Sequence, residues 1–253
     1  MLGLLIVIVG LILFFNAGLL PRLGDWLGRQ SRKPYRQARW MWSWVAGTED
    51  ESIQAEQDYG RECAREFAKQ FSGSASLKSQ DLVATVGAKL GHAVRDPRRE
   101  FRFAAVPSTI FNAFALPGGF VFITEPLIDL CEHDLNEIAF FLGHEIGHIL
   151  RGHAKDKLTA TTFLNAVMAR LSGAGQMLRQ VVSKGYSRAL ELEADREAVR
   201  LAAAAGFDPS ASVRALRRLA QVSPDNAGLA EYFSSHPALS ERIKELERRA
   251  PGS

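Results

Sequence analysis

Along most of the chain, apolar residues recur with a helical period; one stretch switches to the period of strands. Glu51 to Phe71 offers Ile53, Tyr59, Cys63, Phe67 and Phe71 for one broad face and predicts a helix. Ser72 to Ser76 reads as a loop. Leu77 to Val94 predicts a second helix with Leu82, Val83, Val86 and Leu90 inward, ended by Asp96-Pro97. Phe101 to Val106 predicts a strand. Ser108 to Leu116 and Phe120 to Thr124 then flank Pro117-Gly118-Gly119, and Pro followed by Gly suits a type II turn, so a hairpin is expected. It is either a plain structural hairpin or an edge strand that holds an extended peptide by backbone hydrogen bonds. Asp134 to His153 is apolar round nearly its whole circumference and predicts a buried helix. Residues 157–182 read as a looser helical segment, broken at Ser172-Gly173-Ala174-Gly175 and suited to a mobile cover. Tyr186 to Ala205 predicts a strong helix capped by Gly206. Asp208-Pro209 starts another, to about Val222. Ser223 to Pro237 reads as a loop, and Leu239 to Arg249 as a charged terminal helix. The expected fold is α+β, mainly helical, with a small antiparallel sheet.

The N-terminus departs from this pattern. Leu2 to Leu20 is a 19-residue run with no charge and one amide, Asn16. That length spans a bilayer as a helix. A cleaved signal peptide and a buried core helix are the alternatives, but the run lacks a basic leader and stays apolar all round. Residues 1–20 are therefore expected to be a transmembrane anchor, 21–48 a basic, Trp-rich linker beside the membrane, and 49–253 the folded domain. Arg22, Arg29, Arg32, Lys33, Arg36 and Arg39 face only Asp25 within residues 1–40, whereas the rest of the chain holds 25 basic and 27 acidic residues. The high pI thus belongs to the linker, and no nucleic-acid partner is expected. The basic residues follow the span, so the positive-inside rule places the folded domain in the cytoplasm of a bacterial-type inner membrane, with a periplasmic-facing domain as the alternative. Trp40, Trp42 and Trp44 suit the membrane interface or packing against the folded domain. Cys63 and Cys131 are too few and too far apart for a disulfide framework.

The chemistry lies in Leu142 to His153. His144-Glu145-Ile146-Gly147-His148 is an H-E-x-x-H pattern. Residues four apart share a helix face, so His144 and His148 can point two imidazoles at one metal ion, while Glu145 lies about 100° round the helix, able to act on a water at an open coordination position. Polar groups on a buried helix need partners, and a metal supplies one. Zinc is expected, and a catalytic zinc takes three protein ligands. The third should come from Glu191-Leu-Glu-Ala-Asp195, where Glu191 and Asp195 share one face. Glu191 would bind the metal and Asp195 would hydrogen-bond the free ring nitrogen of a ligand histidine. An exposed charged helix is the alternative, since Glu193, Arg196, Glu197 and Arg200 are also present. Arg188 is a candidate to support Glu191 or Asp195. His153 lies about 140° from His148 on a continuous helix, and so is expected either behind the ligands or on the surface.

These motifs together, HEIGH, the E-x-x-x-D of YSRALELEAD, the hairpin NAFALPGGFVFIT and the later SSHPALSERI, resemble the HtpX-like and CAAX-prenyl-protease family of gluzincin zinc metallopeptidases, over about residues 50–249. The resemblance implies a zincin-type domain with one Zn2+ bound by His144, His148 and Glu191, Glu145 as the catalytic base, and Asp195 behind a ligand. It also implies that His236 can reach the zinc as a fourth ligand and block water activation; a transition-state contact or a plain loop histidine before Pro237 are the other readings. The single span resembles the compact members, without the multi-helix enclosure of the prenyl proteases. The expected function is a membrane-anchored zinc endopeptidase for misfolded or membrane-associated polypeptides, with Asn112 and Ala113 on the substrate-binding edge strand. A non-hydrolytic, zinc-stabilised scaffold or chaperone-like protein, or an amidase with another substrate, are the rival readings.

Overall fold

The computed structural model describes residues 47–68, 73–153, 185–222 and 227–249. The expected anchor (1–20), nearly all of the linker (21–48) and the expected cover (157–182) lie outside them. The chain divides after Ala55 into two compact units; of the first, only the start of helix α1 is described. The described elements are α1 (Glu49–Ala68), α2 (Leu77–Ala93), β1 (Arg102–Val106), β2 (Ala113–Leu116), β3 (Phe120–Thr124), α3 (Glu125–Leu130), α4 (Leu135–Leu150), α5 (Arg188–Ala204), α6 (Ala211–Gln221), α7 (Ala227–Ser235) and α8 (Leu239–Arg249). Among these helices none is long and apolar enough to cross a membrane.

The sheet is mixed, not antiparallel as expected. Its order is β1-β3-β2, with β1 parallel to β3 and β2 antiparallel to it. The reason lies in the link 107–112. It carries the chain past the place next to β1, and the tight turn at Gly118, with φ of +74°, then returns β3 into that gap. A β-carbon on Gly118 would stand 2.5 Å from Gln57 Cα, so the turn also needs the missing side chain.

Every residue of β3 is buried because both faces of the sheet are covered. Successive side chains point to opposite faces. Val121 and Ile123, with Ala113, join the main core with Val83, Val86 and Leu90 of α2 and Ile138, Leu142 and Ile146 of α4. Phe120 and Phe122, with Phe114 and Leu116, pack instead against Ala64 and Phe67 of α1. The Phe114 and Phe122 rings stack across the strand pair at 5.2 Å.

Helix α4 is the buried axis of the domain: all its residues from Glu137 to Ile149 are buried. Its closest neighbour is α5. Gly143 and Gly147, one turn apart, face Ala198 and Ala194, one turn apart. A β-carbon on Gly147 would lie 3.0 Å from the Ala194 carbonyl oxygen, and one on Gly143 3.2 Å from Ala198 Cα. The two backbones therefore touch with almost nothing between them. That contact sets the turn of α4 carrying His144 and His148 beside the turn of α5 carrying Glu191 and Asp195.

Candidate metal centre

The structure brings His144, His148, Glu191 and His236 together, all buried, with one donor atom of each within 4.8 Å of the others. His144 Nε2 lies 3.1 Å from His148 Nε2. Glu191 approaches His148 Nε2 with Oε1 at 3.3 Å and His144 Nε2 with Oε2 at 3.5 Å. His236 Nδ1 is 3.3 Å from His144 Nε2 and 3.3 Å from Glu191 Oε1. A tetrahedral zinc with bonds of about 2.0–2.1 Å has ligand–ligand edges of about 3.3 Å. The distances given above, taken to the nearer Glu191 oxygen, are close to that size. Glu191 Oε2 is buried and accepts no hydrogen bond among the described residues, although Arg242 Nη1 stands 2.9 Å away as an ion pair. Donor set and spacing fit a zinc-sized cation.

The ring nitrogens that face away from the cluster are also held. Asp195 Oδ1 lies 2.9 Å from His144 Nδ1. His148 Nδ1 meets His153 Nδ1 at 3.0 Å, and the Tyr186 ring stacks on the His148 ring at 3.8 Å between centroids. Tyr186 is positioned by its own N–H, which donates to the Ser235 carbonyl at 3.2 Å.

His236 follows α7 and is fixed by its N–H donating to the Tyr232 carbonyl at 2.7 Å. While its Nδ1 points into the cluster, its Nε2 faces Glu145 Oε1 at 3.5 Å and the Ala113 carbonyl at 3.4 Å. Ala113 opens β2, an edge of the sheet among the described residues. Its neighbour Asn112 is held by Thr124: the Asn112 N–H donates to the side-chain Oγ1 of Thr124 at 2.9 Å, and the Thr124 N–H donates to the Asn112 carbonyl at 2.9 Å. The Asn112 carboxamide is fully buried and makes no hydrogen bond among the described residues.

Arg188 does not reach Glu191 or Asp195. It is 65% exposed and pairs with Glu241. As the first residue of α5 it sits on the solvent side of that helix. The cation beside the carboxylates is Arg242, wholly buried on α8. It donates to Asp195 Oδ2 from Nε at 2.8 Å and to Oδ1 from Nη2 at 2.7 Å. Sequence reasoning missed it, though a signal was there. Leu239, Arg242, Ile243 and Leu246 occupy positions i, i+3, i+4 and i+7 of α8. An arginine on an apolar stripe must have a buried partner.

Burial alone would raise Glu191 and Asp195. Against it, His236, Arg242 and His144 hold Glu191 far below the usual carboxylate range, and Arg242 and His144 lower Asp195. Without a metal, burial and Arg242 act to lower His144, but Glu191 and Asp195 outweigh them and hold it up at about 9. His148 goes the other way: burial outweighs Glu191 and pushes it well below 6.5. The cluster is an anionic carboxylate core surrounded by nitrogen donors, which is chemistry suited to a divalent cation.

A buried helix presenting H-E-x-x-H, paired with a second helix that presents a glutamate to the same point, defines the site of a zincin-type metallopeptidase. The sequence profile described as peptidase family M48 matches residues 77–250, and the chain belongs to that family. It is 29% identical over 168 residues to the mitochondrial metalloendopeptidase OMA1 of Schizosaccharomyces pombe, a match covering 63% of this chain and 46% of the relative. It is 27% identical over 150 residues to the metalloprotease LoiP of Escherichia coli, covering 54% and 58%. It is 27% identical over 207 residues to the beta-barrel assembly-enhancing protease of Yersinia pestis, covering 73% and 42%. The chain spans about half the length of these relatives.

Proposed function

We propose that this chain is a membrane-anchored, zinc-dependent endopeptidase that cuts polypeptides. The observation that carries this reading is the convergence of His144, His148 and Glu191 on one point, with Glu145 close by. His144 and His148 would hold zinc through Nε2 and Glu191 through its carboxylate. Zinc bound there supplies Lewis acidity toward a peptide carbonyl and lowers the pKa of a water in its open position. Glu145 takes the proton of the attacking water and passes it to the leaving amine. The β2 edge pairs with an extended substrate through the backbone at Ala113, with the buried Asn112 carboxamide available to it.

His236 defines the resting state. It reaches toward the ligand cluster, the base and the Ala113 carbonyl together, and it must withdraw before a peptide can enter. Within family M48, we place the chain with the compact HtpX-like members. Residues 2–20 support a single anchor in a bacterial-type inner membrane, and the basic residues after it support a cytoplasmic catalytic unit. Misfolded or membrane-associated proteins are the substrate class that fits an anchored peptidase with an edge-strand cleft.

The test compares zinc content and cleavage of an unfolded casein by wild type and Glu145→Gln. Both should hold zinc. Wild-type cleavage should stop with chelator and return with zinc, and the variant should be slower by about 10²–10⁴-fold. Retained cleavage in the variant would sink the mechanism. His236 at the fourth position also favours a second reading, a scaffold that does not hydrolyse. In that case Glu145→Gln would keep its function in the cell.

A further inference from the structure

We propose that His153 is a positioning residue that fixes the proton of His148, and that Glu193 holds His153 in the tautomer this needs. This rests on the zinc reading above. The two histidine ligands are not held alike. His144 is backed by a carboxylate, Asp195, which is itself locked by two hydrogen bonds from Arg242. His148 is backed by a neutral-type donor–acceptor ring.

On an unbroken helix His153 would project about 140° away from His148. The helix does not continue. Arg151 caps α4, its N–H donating to the Gly147 carbonyl at 3.1 Å, and Gly152 adopts a φ of +75°. That left-handed turn, open to glycine, brings the next side chain, His153, to the site face. His153 is only 5% exposed as a result, with Nδ1 at 3.0 Å from His148 Nδ1.

The proton assignment follows from which nitrogen meets the cluster. His148 Nε2 points at His144 Nε2 and Glu191 and would be the ligand atom. A neutral imidazole that gives Nε2 to a metal carries its proton on Nδ1. His148 Nδ1–H therefore donates, and His153 Nδ1 must accept. The His153 proton then sits on Nε2, which faces Glu193 Oε2 at 3.6 Å. The chain of contacts runs from carboxylate to imidazole to ligand, ending on a half-exposed glutamate, whereas the Asp195 side is sealed. Helix α5 would thus hold the metal through Glu191, and it backs one histidine with Asp195 and the other, through His153, with Glu193.

The test measures zinc affinity of the full chain by competition with a chromogenic chelator, and melting of the metal-free protein. His153→Phe keeps a ring without an acceptor, and His153→Asn keeps an acceptor. We expect zinc affinity to fall about 10–100-fold in the Phe variant, to recover to within about 5-fold of wild type in the Asn variant, and to fall by a smaller factor in Glu193→Gln. Metal-free melting is recorded for all four proteins so that a loss of folding is not read as a loss of zinc binding. Wild-type affinity in His153→Phe, or equal losses in Phe and Asn, would overturn the proposal, since a filler of space needs no acceptor. If the Phe variant does not fold, Glu193→Gln decides: unchanged affinity there overturns it. A wild-type chain that binds no zinc would overturn the zinc reading itself, and this one with it.

Discussion

Arg242 meets Asp195 with two prongs of its guanidinium, Nε to Oδ2 at 2.8 Å and Nη2 to Oδ1 at 2.7 Å, where both side chains are buried. Asp195 passes that constraint to His144 Nδ1. Arg242→Met, close in size but uncharged, leaves two buried carboxylates without their cation. Breaking such a pair costs about 3–5 kcal/mol. For a domain of this size that is a fall in melting temperature on the order of 10 °C. Zinc affinity should fall with it. Thermal melts of variant and wild type, each with and without zinc, would show both effects.

His236→Ala removes the side chain that faces both Glu145 and Ala113. Three of the proposed ligands remain, which would suffice for a catalytic zinc. Cleavage of an unfolded substrate should rise several-fold, measured as initial rate, while zinc binds more weakly. A drop to the level of Glu145→Gln would instead assign His236 to the chemical step.

Gly147→Ala places a methyl 3.0 Å from the Ala194 carbonyl. Neither backbone can yield without moving the helix that carries Glu191. Overpacking of this kind costs about 1–3 kcal/mol. The expected result is a lower melting temperature together with weaker zinc binding. A surface substitution such as Leu77→Ser, at a residue 83% exposed, should change neither.

Zinc removal should destabilise the fold. Binding to the native state alone contributes RT ln(1 + [L]/Kd), about 4 kcal/mol when zinc is 1,000-fold above its Kd. The chelated protein should melt on the order of 10 °C lower. The Glu145→Gln variant should show the same difference, because Glu145 is not among the converging donors.

Much of the fold could be read in the chain because its helices carry their own signals. The amphipathic run behind α2, the all-round apolar α4 and the Gly206 stop after α5 placed each element within a few residues. The same periodicity put His144 beside His148 and Glu191 beside Asp195. What could not be read depends on elements far apart in sequence. Nothing local says that the six residues 107–112 step across a vacant place, so the parallel pairing of β1 with β3 was missed. Helix α7 is short and lay within an expected loop; Leu229 and Tyr232 bury it in the common core. Arg188 was the nearer cation in sequence, but Arg242, 47 positions from Asp195, is the nearer one in space.

Gly143 and Gly147 have a consequence for how the centre tolerates change. Helices usually keep their distance through side chains that can swap rotamers or repack. Here backbone rests on backbone, and no rotamer takes part in setting the spacing. Substitutions elsewhere in the core can accumulate without shifting the glutamate relative to the histidines. The seam itself accepts almost none, because at either glycine every possible replacement is larger.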